Sequence, residues 1–368
     1  MLKPASGLCN LRCKYCFYAD ETSKREVKNH GIMSEETLYR VIQKVLANVS
    51  GMCTIAFQGG EPTLAGLDFF KKAVVFSKEL NVNHCRIHFA IQTNGTLLDD
   101  AWCAFFKENG FLVGVSLDGI KETHDANRID AEGKGTYGKV IAGIRLLEKH
   151  GVDFNILTVL TSANCRSFRK IYQNYKNNGW DYQQYIPCLD PLGEERGKHP
   201  WSLTPERYEL YLKTAFDCWY QDAMAGNKKY HRYFDNLLLM MDGRPPEACG
   251  MAGHCTMQYV VEADGSVYPC DFYMLDNYLL GNFNKDSIEH MDRRREEIQF
   301  ITQSIRVDDQ CVKCRWYHLC RGGCRRDRDY FESGISKNYF CSAYQSFFEY
   351  AYPKLQILYR SMKAGKLR

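Results

Sequence analysis

Five short runs rich in β-branched and aromatic residues punctuate the first half of the chain: CTIAFQ from Cys53, RIHFAIQT from Arg86, FLVGVSLD from Phe111, FNILTVL from Phe154 and YQQYIPCL from Tyr182. Stretches with helical spacing separate them. Ser34 reads as the N-cap of the segment SEETLYRVIQKVLANV, and Asp99 as the cap of a helix ahead of Asn109-Gly110. This β/α alternation predicts parallel strands with helices on one or both faces, an α/β fold in the form of a partial or complete barrel. Such folds gather their chemistry at the C-terminal ends of the strands. The ends here suit that role: Gln58-Gly59-Gly60-Glu61-Pro62, Gln92-Thr93-Asn94-Gly95 and Ser116-Leu117-Asp118-Gly119. Only Met1 to Lys3 are left to form a strand before the first cysteine, so a strand there is expected to be shortened.

After about residue 200 the alternation stops. Helical patterns run through 204–242, and cysteine-rich, turn-rich sequence fills 249–341. The expected division is a β/α domain over 1–200, a helical linker region over 201–245 and a cysteine-rich domain with a C-terminal helix over 246–368. No repeat of 20–50 residues and no low-complexity tract interrupts this order. At 368 residues and 45% hydrophobic, the chain can build more than one core. Its 48 basic and 44 acidic residues leave a formal charge of +4, too small a surplus to argue for a nucleic-acid surface. No stretch approaches eighteen apolar residues and no basic n-region opens the chain, so neither membrane insertion nor export is expected, and the cytoplasm is the expected location.

The 17 cysteines change the picture. A disulfide framework belongs to small secreted domains, so metal or redox chemistry is the better reading of a large chain without a secretion signal. They are grouped: Cys9, Cys13 and Cys16; then Cys249, Cys255 and Cys270; then Cys311, Cys314, Cys320, Cys324 and Cys341. Cys53, Cys85, Cys103, Cys165, Cys188 and Cys218 stand alone and are expected to be buried, small apolar side chains. Cys9-x3-Cys13-x2-Cys16, followed by Phe17-Tyr18, puts three thiolates in one loop. Three ligands suit a [4Fe–4S] cluster with one iron open to a substrate or cofactor. A zinc loop completed by a distant ligand such as His30 is the alternative.

That spacing at the mouth of a β/α pattern resembles the radical S-adenosylmethionine superfamily. The resemblance implies that the open iron binds the amino and carboxylate groups of S-adenosylmethionine, whose reductive cleavage yields a 5′-deoxyadenosyl radical. Gly59-Gly60-Glu61-Pro62 matches the family's GGEP segment, expected at the methionine amino group; read alone, the same residues make a turn ending a strand. Ser116 and Arg128 lie where the family places contacts to the ribose and the carboxylate, and Leu189 is a further expected cofactor contact. Cys255-x9-Gly265-x4-Cys270, Cys311-x2-Cys314-x5-Cys320-x3-Cys324 and Cys341 resemble the SPASM extension of radical enzymes that modify peptides. With Cys249 the eight thiolates suffice for two fully ligated clusters. The resemblance implies that Cys249, Cys255, Cys270 and Cys324 hold one auxiliary [4Fe–4S] cluster and Cys311, Cys314, Cys320 and Cys341 the other. Zinc ribbons remain the alternative for the spacing of Cys311 to Cys324 by itself.

Further segments are similar to the anaerobic sulfatase-maturating enzymes: Lys3-Pro4-Ala5-Ser6, Cys16-Phe17-Tyr18, the stretch from Ala56 to Gly66, Gln92-Thr93-Asn94-Gly95, Cys188-Leu189-Asp190-Pro191 and Tyr268-Pro269-Cys270-Asp271-Phe272-Tyr273. These enzymes oxidise a cysteine or serine of a sulfatase, in a C/S-x-P-x-R segment, to Cα-formylglycine. The resemblance implies hydrogen abstraction from the target Cβ, proton removal by a base and departure of a second electron through an auxiliary cluster. It makes Asp271 the base and Tyr18, Gln58 and Gln92 contacts to the peptide; a turn aspartate and ordinary packing are the structural alternatives. A flavodoxin or ferredoxin is the expected electron donor. The rival is a SPASM maturase that cross-links a ribosomal precursor peptide, though many of those carry a leader-binding domain for which no room precedes Cys9.

Overall fold

The computed structural model describes residues 1–331 and 334–365. Strands β1 (Met52–Phe57), β2 (Arg86–Thr93), β3 (Leu112–Ser116), β4 (Phe154–Leu160), β5 (Tyr182–Pro187) and β6 (Tyr230–His231) follow one another across a six-stranded sheet in chain order. β1 runs parallel to β2, β2 to β3, β4 to β5 and β5 to β6. Each connection carries a helix: Leu67–Glu79, Asp100–Glu108, Tyr137–His150, Phe168–Asn177 and Pro205–Met224 in turn. This is the α/β alternation that the five sequence runs predict, with every one of them forming a strand. Both expected caps are present, Ser34 Oγ accepting from Thr37 N at 3.1 Å and Asp99 Oδ1 from Trp102 N at 2.9 Å.

The chain divides into two compact units. The first comprises Met1–Leu117, Asp125–Asn155 and Met257–Gln299. Its core is aromatic: Phe57, Phe70, Phe106 and Phe111 are buried, and Phe111 stacks on Phe89 with ring centroids 5.0 Å apart. The same unit contains the antiparallel strands β7 (Val260–Val261), β8 (Ser266–Tyr268) and β9 (Gly281–Asn282). The shortened first strand is a single residue. Leu2 bridges in parallel to Phe57 on one side and to Val261 on the other, with Leu2 N donating to Ala56 O and Gln58 N to Leu2 O. One peptide thereby joins the end of β1 to β7.

The second unit comprises Asp118–His124, Ile156–Thr256 and Phe300–Arg368. Here the helix Pro205–Met224 packs on the C-terminal helix Cys341–Lys363 around Tyr211, Phe216, Trp219, Phe234 and Phe347. Two sequence expectations are corrected in this unit. The helical stretch 204–242 is interrupted by β6, whose two residues are too few to show an alternation. They are held instead by pairing with Tyr182 and Gln183, and the His231 ring stacks 4.9 Å from that of Tyr185. Of the six isolated cysteines five are buried, but Cys218 is half-exposed, with the guanidinium of Arg169 3.9 Å from its sulfur.

His231 is 1% exposed, wedged between the rings of Tyr185 and Phe234, and its Nε2 lies 3.0 Å from Tyr211 Oη. Burial pushes its imidazole down to about 3. Below pH ~6.5 the unfolded chain takes up a proton that the folded chain refuses, so stability is lost as the pH falls toward 3. Between pH 7 and 5 this group should contribute a loss of about 2 kcal/mol. Urea unfolding of the wild-type protein and His231→Gln at both pH values checks it, and equal pH dependence in the two proteins would contradict it.

Candidate active site

The loop after β1 is zipped to the segment leading into the first cysteine group. Gly60 N donates to Ser6 O at 2.9 Å and Glu61 N to Leu8 O at 2.7 Å. The approach is so close that a Cβ on Gly60 would stand 1.9 Å from the Leu8 carbonyl oxygen, so only glycine fits. Gly59 has φ +139, a backbone shape that side chains resist. Glu61 is buried, and both of its oxygens are engaged. Oε1 accepts from Thr63 N, Thr63 Oγ1 and Thr93 Oγ1 at 3.1, 2.7 and 2.7 Å, and Oε2 accepts from Asn94 N at 2.7 Å. Burial nevertheless pushes its carboxyl up, outweighing those four donors. In this arrangement Glu61 ties the end of β1 to the end of β2.

Asn94, which sequence reasoning left unassigned, reaches back from the end of β2. Its Nδ2 donates to Asn10 Oδ1 at 2.8 Å and lies 3.9 Å from Cys9 Sγ. Cys9, Cys13 and Cys16 are each half-buried. Burial pushes the Cys9 thiol up to about 11 against the Leu11 N–H that favours its thiolate, while Glu61 and Cys16 push the same way as burial. Cys13 Sγ is 4.0 Å from the guanidinium of Arg128, itself buried and stacked on Tyr15 with 5.5 Å to the ring centroid. At the next strand ends, Gln92 Nε2 donates to Ser116 Oγ at 3.1 Å. Gly114 on β3 makes room for it, since a Cβ there would fall 2.1 Å from Gln92 Oε1. Among the residues expected at the site, this unit therefore joins the first cysteine loop, the GGEP segment, Gln92, Ser116 and Arg128. Leu189 directly follows Cys188 after β5, in the second unit.

Beside the cysteine loop lies a set of buried charges that the sequence did not announce. Phe17, next to Cys16, packs edge-on against Phe272, next to Asp271, with centroids 4.9 Å apart. Asp271 Oδ1 is 3.6 Å from Cys270 Sγ. Tyr18 is buried and its hydroxyl donates to Glu262 Oε2 at 2.7 Å, so it points at a carboxylate of the protein. Arg25 Nη1 donates to the same oxygen at 2.7 Å, and Ala263 N satisfies Glu262 Oε1 at 2.9 Å. The ring face of Tyr18 is offered to Lys3, whose Nζ stands 4.6 Å from its centroid and 3.4 Å from Gln58 Oε1. The signal for Glu262 was present, as a carboxylate in the apolar run Tyr259-Val260-Val261-Glu262-Ala263. Lys3, likewise, is a lone cation at an otherwise apolar start.

The remaining cysteines fall into sets. In the second unit Cys311, Cys314, Cys320 and Cys341 line one cavity together with Trp316, Tyr344 and Phe348. Burial pushes the Cys320 thiol up to about 12, with the other three thiols adding to it. Burial likewise raises Cys255 and Cys324, and Cys249 adds to both. Cys270 follows β8 in the first unit. Thiols that are crowded and unwilling to ionise fit metal-cluster ligands, because bound iron supplies the positive charge that makes the thiolates favourable. Among the described residues no group of His, Cys, Asp or Glu is arranged to hold a single metal ion. Four thiols around a cavity suit a larger cluster.

Residues 4–173 match the radical SAM superfamily, and residues 249–321 match an iron–sulfur cluster-binding domain of the SPASM type. The chain is 47% identical, over 96% of both proteins, to a cysteine-type anaerobic sulfatase-maturating enzyme of Clostridium perfringens. It is 32% identical to a serine-type enzyme of Bacteroides thetaiotaomicron, over 98% of this chain and 91% of that protein. The solved structure described as native anSMEcpe with bound AdoMet and Cp18Cys peptide superposes with a TM-score of 0.93 at 46% identity, covering 98% of each chain.

The contact at Gly60 yields a direct test. Gly60→Ala should force the cysteine loop off β1, and after anaerobic iron–sulfur reconstitution the iron bound per chain should fall by about four, one cluster's worth. Iron analysis reads this, and full loading of the variant would refute it.

Proposed function

Because this chain belongs to the anaerobic sulfatase-maturating enzymes of the radical S-adenosylmethionine superfamily, we propose that it oxidises one cysteine of a sulfatase to Cα-formylglycine. The observation that carries this reading is the 47% identity to a cysteine-type enzyme across nearly the full length of both chains. The lower identity to a serine-type relative favours cysteine over serine as the preferred target. The near full-length identity to the cysteine-type enzyme also weighs against the cross-linking of a ribosomal precursor peptide. The enzyme uses S-adenosylmethionine and three [4Fe–4S] clusters. In our reading Cys9, Cys13 and Cys16 hold the first cluster. Cys249, Cys255, Cys270 and Cys324 hold the second, and Cys311, Cys314, Cys320 and Cys341 the third. By sequence we divide the chain into a radical S-adenosylmethionine domain over 1–200, a helical linker region over 201–245 and a SPASM domain over 246–368, segments that the two compact units interleave.

S-adenosylmethionine, cleaved at the first cluster, supplies the radical that removes a hydrogen atom from the target Cβ. The protein's part is to bind, orient and deprotonate. In this reading the GGEP segment, Gly59, Gly60 and Glu61, takes the methionine amino group, with Ser116, Arg128 and Leu189 as further cofactor contacts. Gln58 and Gln92 present side-chain amides to an extended peptide, and Tyr18 forms one wall of the pocket. Asp271 accepts the thiol proton. Its position directly after Cys270 and the packing of Phe272 on Phe17 beside the cysteine loop support this reading. The substrate is a sulfatase polypeptide with a C-x-P-x-R segment, and a one-electron carrier such as flavodoxin or ferredoxin supplies reducing equivalents. No helix among the described residues is long and apolar enough to cross a membrane. Cluster thiols persist in a reducing compartment, which makes the cytoplasm the proposed location.

The reconstituted enzyme, given S-adenosylmethionine, reductant and peptides carrying C-x-P-x-R or S-x-P-x-R, should convert the cysteine peptide faster, read as peptide mass and 5′-deoxyadenosine. Asp271→Asn should lower aldehyde formation by about 10²–10⁴-fold. Deoxyadenosine without any aldehyde from the wild-type enzyme would refute the substrate assignment.

A further inference from the structure

Lys3 is fully buried, a state that a lysine side chain almost never adopts unless paired. Its stem runs beneath the GGEP loop, where a Cβ on Gly59 would come within 3.2 Å of Lys3 Cδ. Its ammonium ends between two side chains assigned above to the peptide, 3.4 Å from Gln58 Oε1 and 4.6 Å from the Tyr18 ring centroid. Burial pushes its pKa down, opposed first by Asp271 and then by Glu21, Glu262 and the Cys270 thiol. Asp271 is thus the carboxylate that acts on it most strongly. Glu262 is already engaged by Tyr18, Arg25 and Ala263 N, and Glu21 Oε2 by Met274 N. An ammonium has three donors. Gln58 takes one and the Tyr18 face another, which leaves a third without an acceptor among the described residues. A buried cation left short of acceptors costs stability, and this one is retained where three candidate functional side chains meet.

We propose that Lys3 is a positioning residue that acts on the substrate through Gln58, its ammonium being fully buried behind that side chain. Holding Gln58 Oε1 fixes the orientation of the amide and leaves both Nε2 donors for a backbone carbonyl of the peptide beside the target cysteine. The target Cβ–H and thiol are then presented together, the one for hydrogen abstraction and the other to Asp271. This inference rests on the formylglycine reading above. It concerns the coupling of the two events, not the cleavage of S-adenosylmethionine.

Lys3→Met keeps the length of the stem and removes the charge. With the reconstituted enzyme and a C-x-P-x-R peptide, 5′-deoxyadenosine formation should stay within about twofold of wild type while aldehyde falls at least tenfold, so that the ratio of deoxyadenosine to aldehyde rises at least fivefold. Iron content and melting temperature are measured alongside. An unchanged ratio in a fully loaded variant overturns the proposal. If Lys3→Met does not load its clusters, Lys3→Arg is read instead. Retention of the charge should then keep the ratio within about threefold of wild type, and a variant that fails to load or that uncouples makes Lys3 a packing residue and overturns the proposal. Failure of the wild-type enzyme to form aldehyde would instead strike the functional reading itself, so the two failures are distinguishable.

Discussion

Gly60 has no room for a side chain because the Leu8 carbonyl occupies the place of its Cβ, and the site in the first unit depends on that contact. It lets the β1 loop and the cysteine loop pair backbone to backbone, through Ser6 O and Leu8 O, where side chains would have held them apart. Backbone pairing is stiffer than side-chain contact, since it fixes dihedrals instead of rotamers. Glu61 extends the same tie to β2 through four donors, and Asn94 returns from β2 to the cysteine loop. The circuit is closed: cysteine loop to β1, β1 to β2, β2 to cysteine loop. A cofactor bound at its rim would meet a surface already held in shape, as positioning of a reactive group demands.

The second constraint is electrostatic. Burying a carboxylate is costly unless its oxygens are filled, and Glu61 and Glu262, two of the three buried glutamates of this unit, are filled in different ways. Glu61 takes neutral donors from hydroxyls and backbone and keeps a raised pKa. Glu262 takes the guanidinium of Arg25 together with the Tyr18 hydroxyl, a charged pair with side chains 1% and 0% exposed. The first arrangement serves as a tether. The second makes a rigid polar floor beneath Tyr18, so that this ring cannot rotate its hydroxyl toward a ligand without abandoning Glu262. The Tyr18 hydroxyl proton is thereby committed within the protein, while its ring face is turned to Lys3.

β1 to β5 were legible because each is a run of five to eight residues rich in β-branched and aromatic side chains, and the caps at Ser34 and Asp99 because capping is a local interaction. β6 was not, since two residues carry no periodicity and their pairing is set by partners some fifty residues away. The grouped cysteines stood out by spacing alone. What spacing could not reveal was the company each side chain keeps. Arg25 and Glu262 are 237 positions apart in sequence, and Lys3 meets Gln58 across 55. No local pattern encodes such pairs. Their only trace is a charge in an apolar run, visible at Glu262 and Lys3 and readable as a site only once the fold has brought them to Tyr18.

The cysteine groups show how the chain divides the work with its metal. Around one cavity of the second unit, Trp316, Tyr344 and Phe348 supply apolar walls beside four thiols, with Gln310, Lys337 and Gln345 also lining it. Burial pushes Cys320 up to about 12, and each neighbouring thiol adds to it by making the next harder to ionise. The protein alone therefore gains little from bringing them together: crowding and desolvation outweigh the help that Lys337 gives Cys341 and Arg328 gives Cys311. Iron reverses the balance, since coordination requires the deprotonated form and provides the charge that stabilises it. Binding that favours the folded chain adds to its stability. It follows that this region owes a larger share of its stability to bound iron than the aromatic core around Phe111 does, where burial suffices without any ligand.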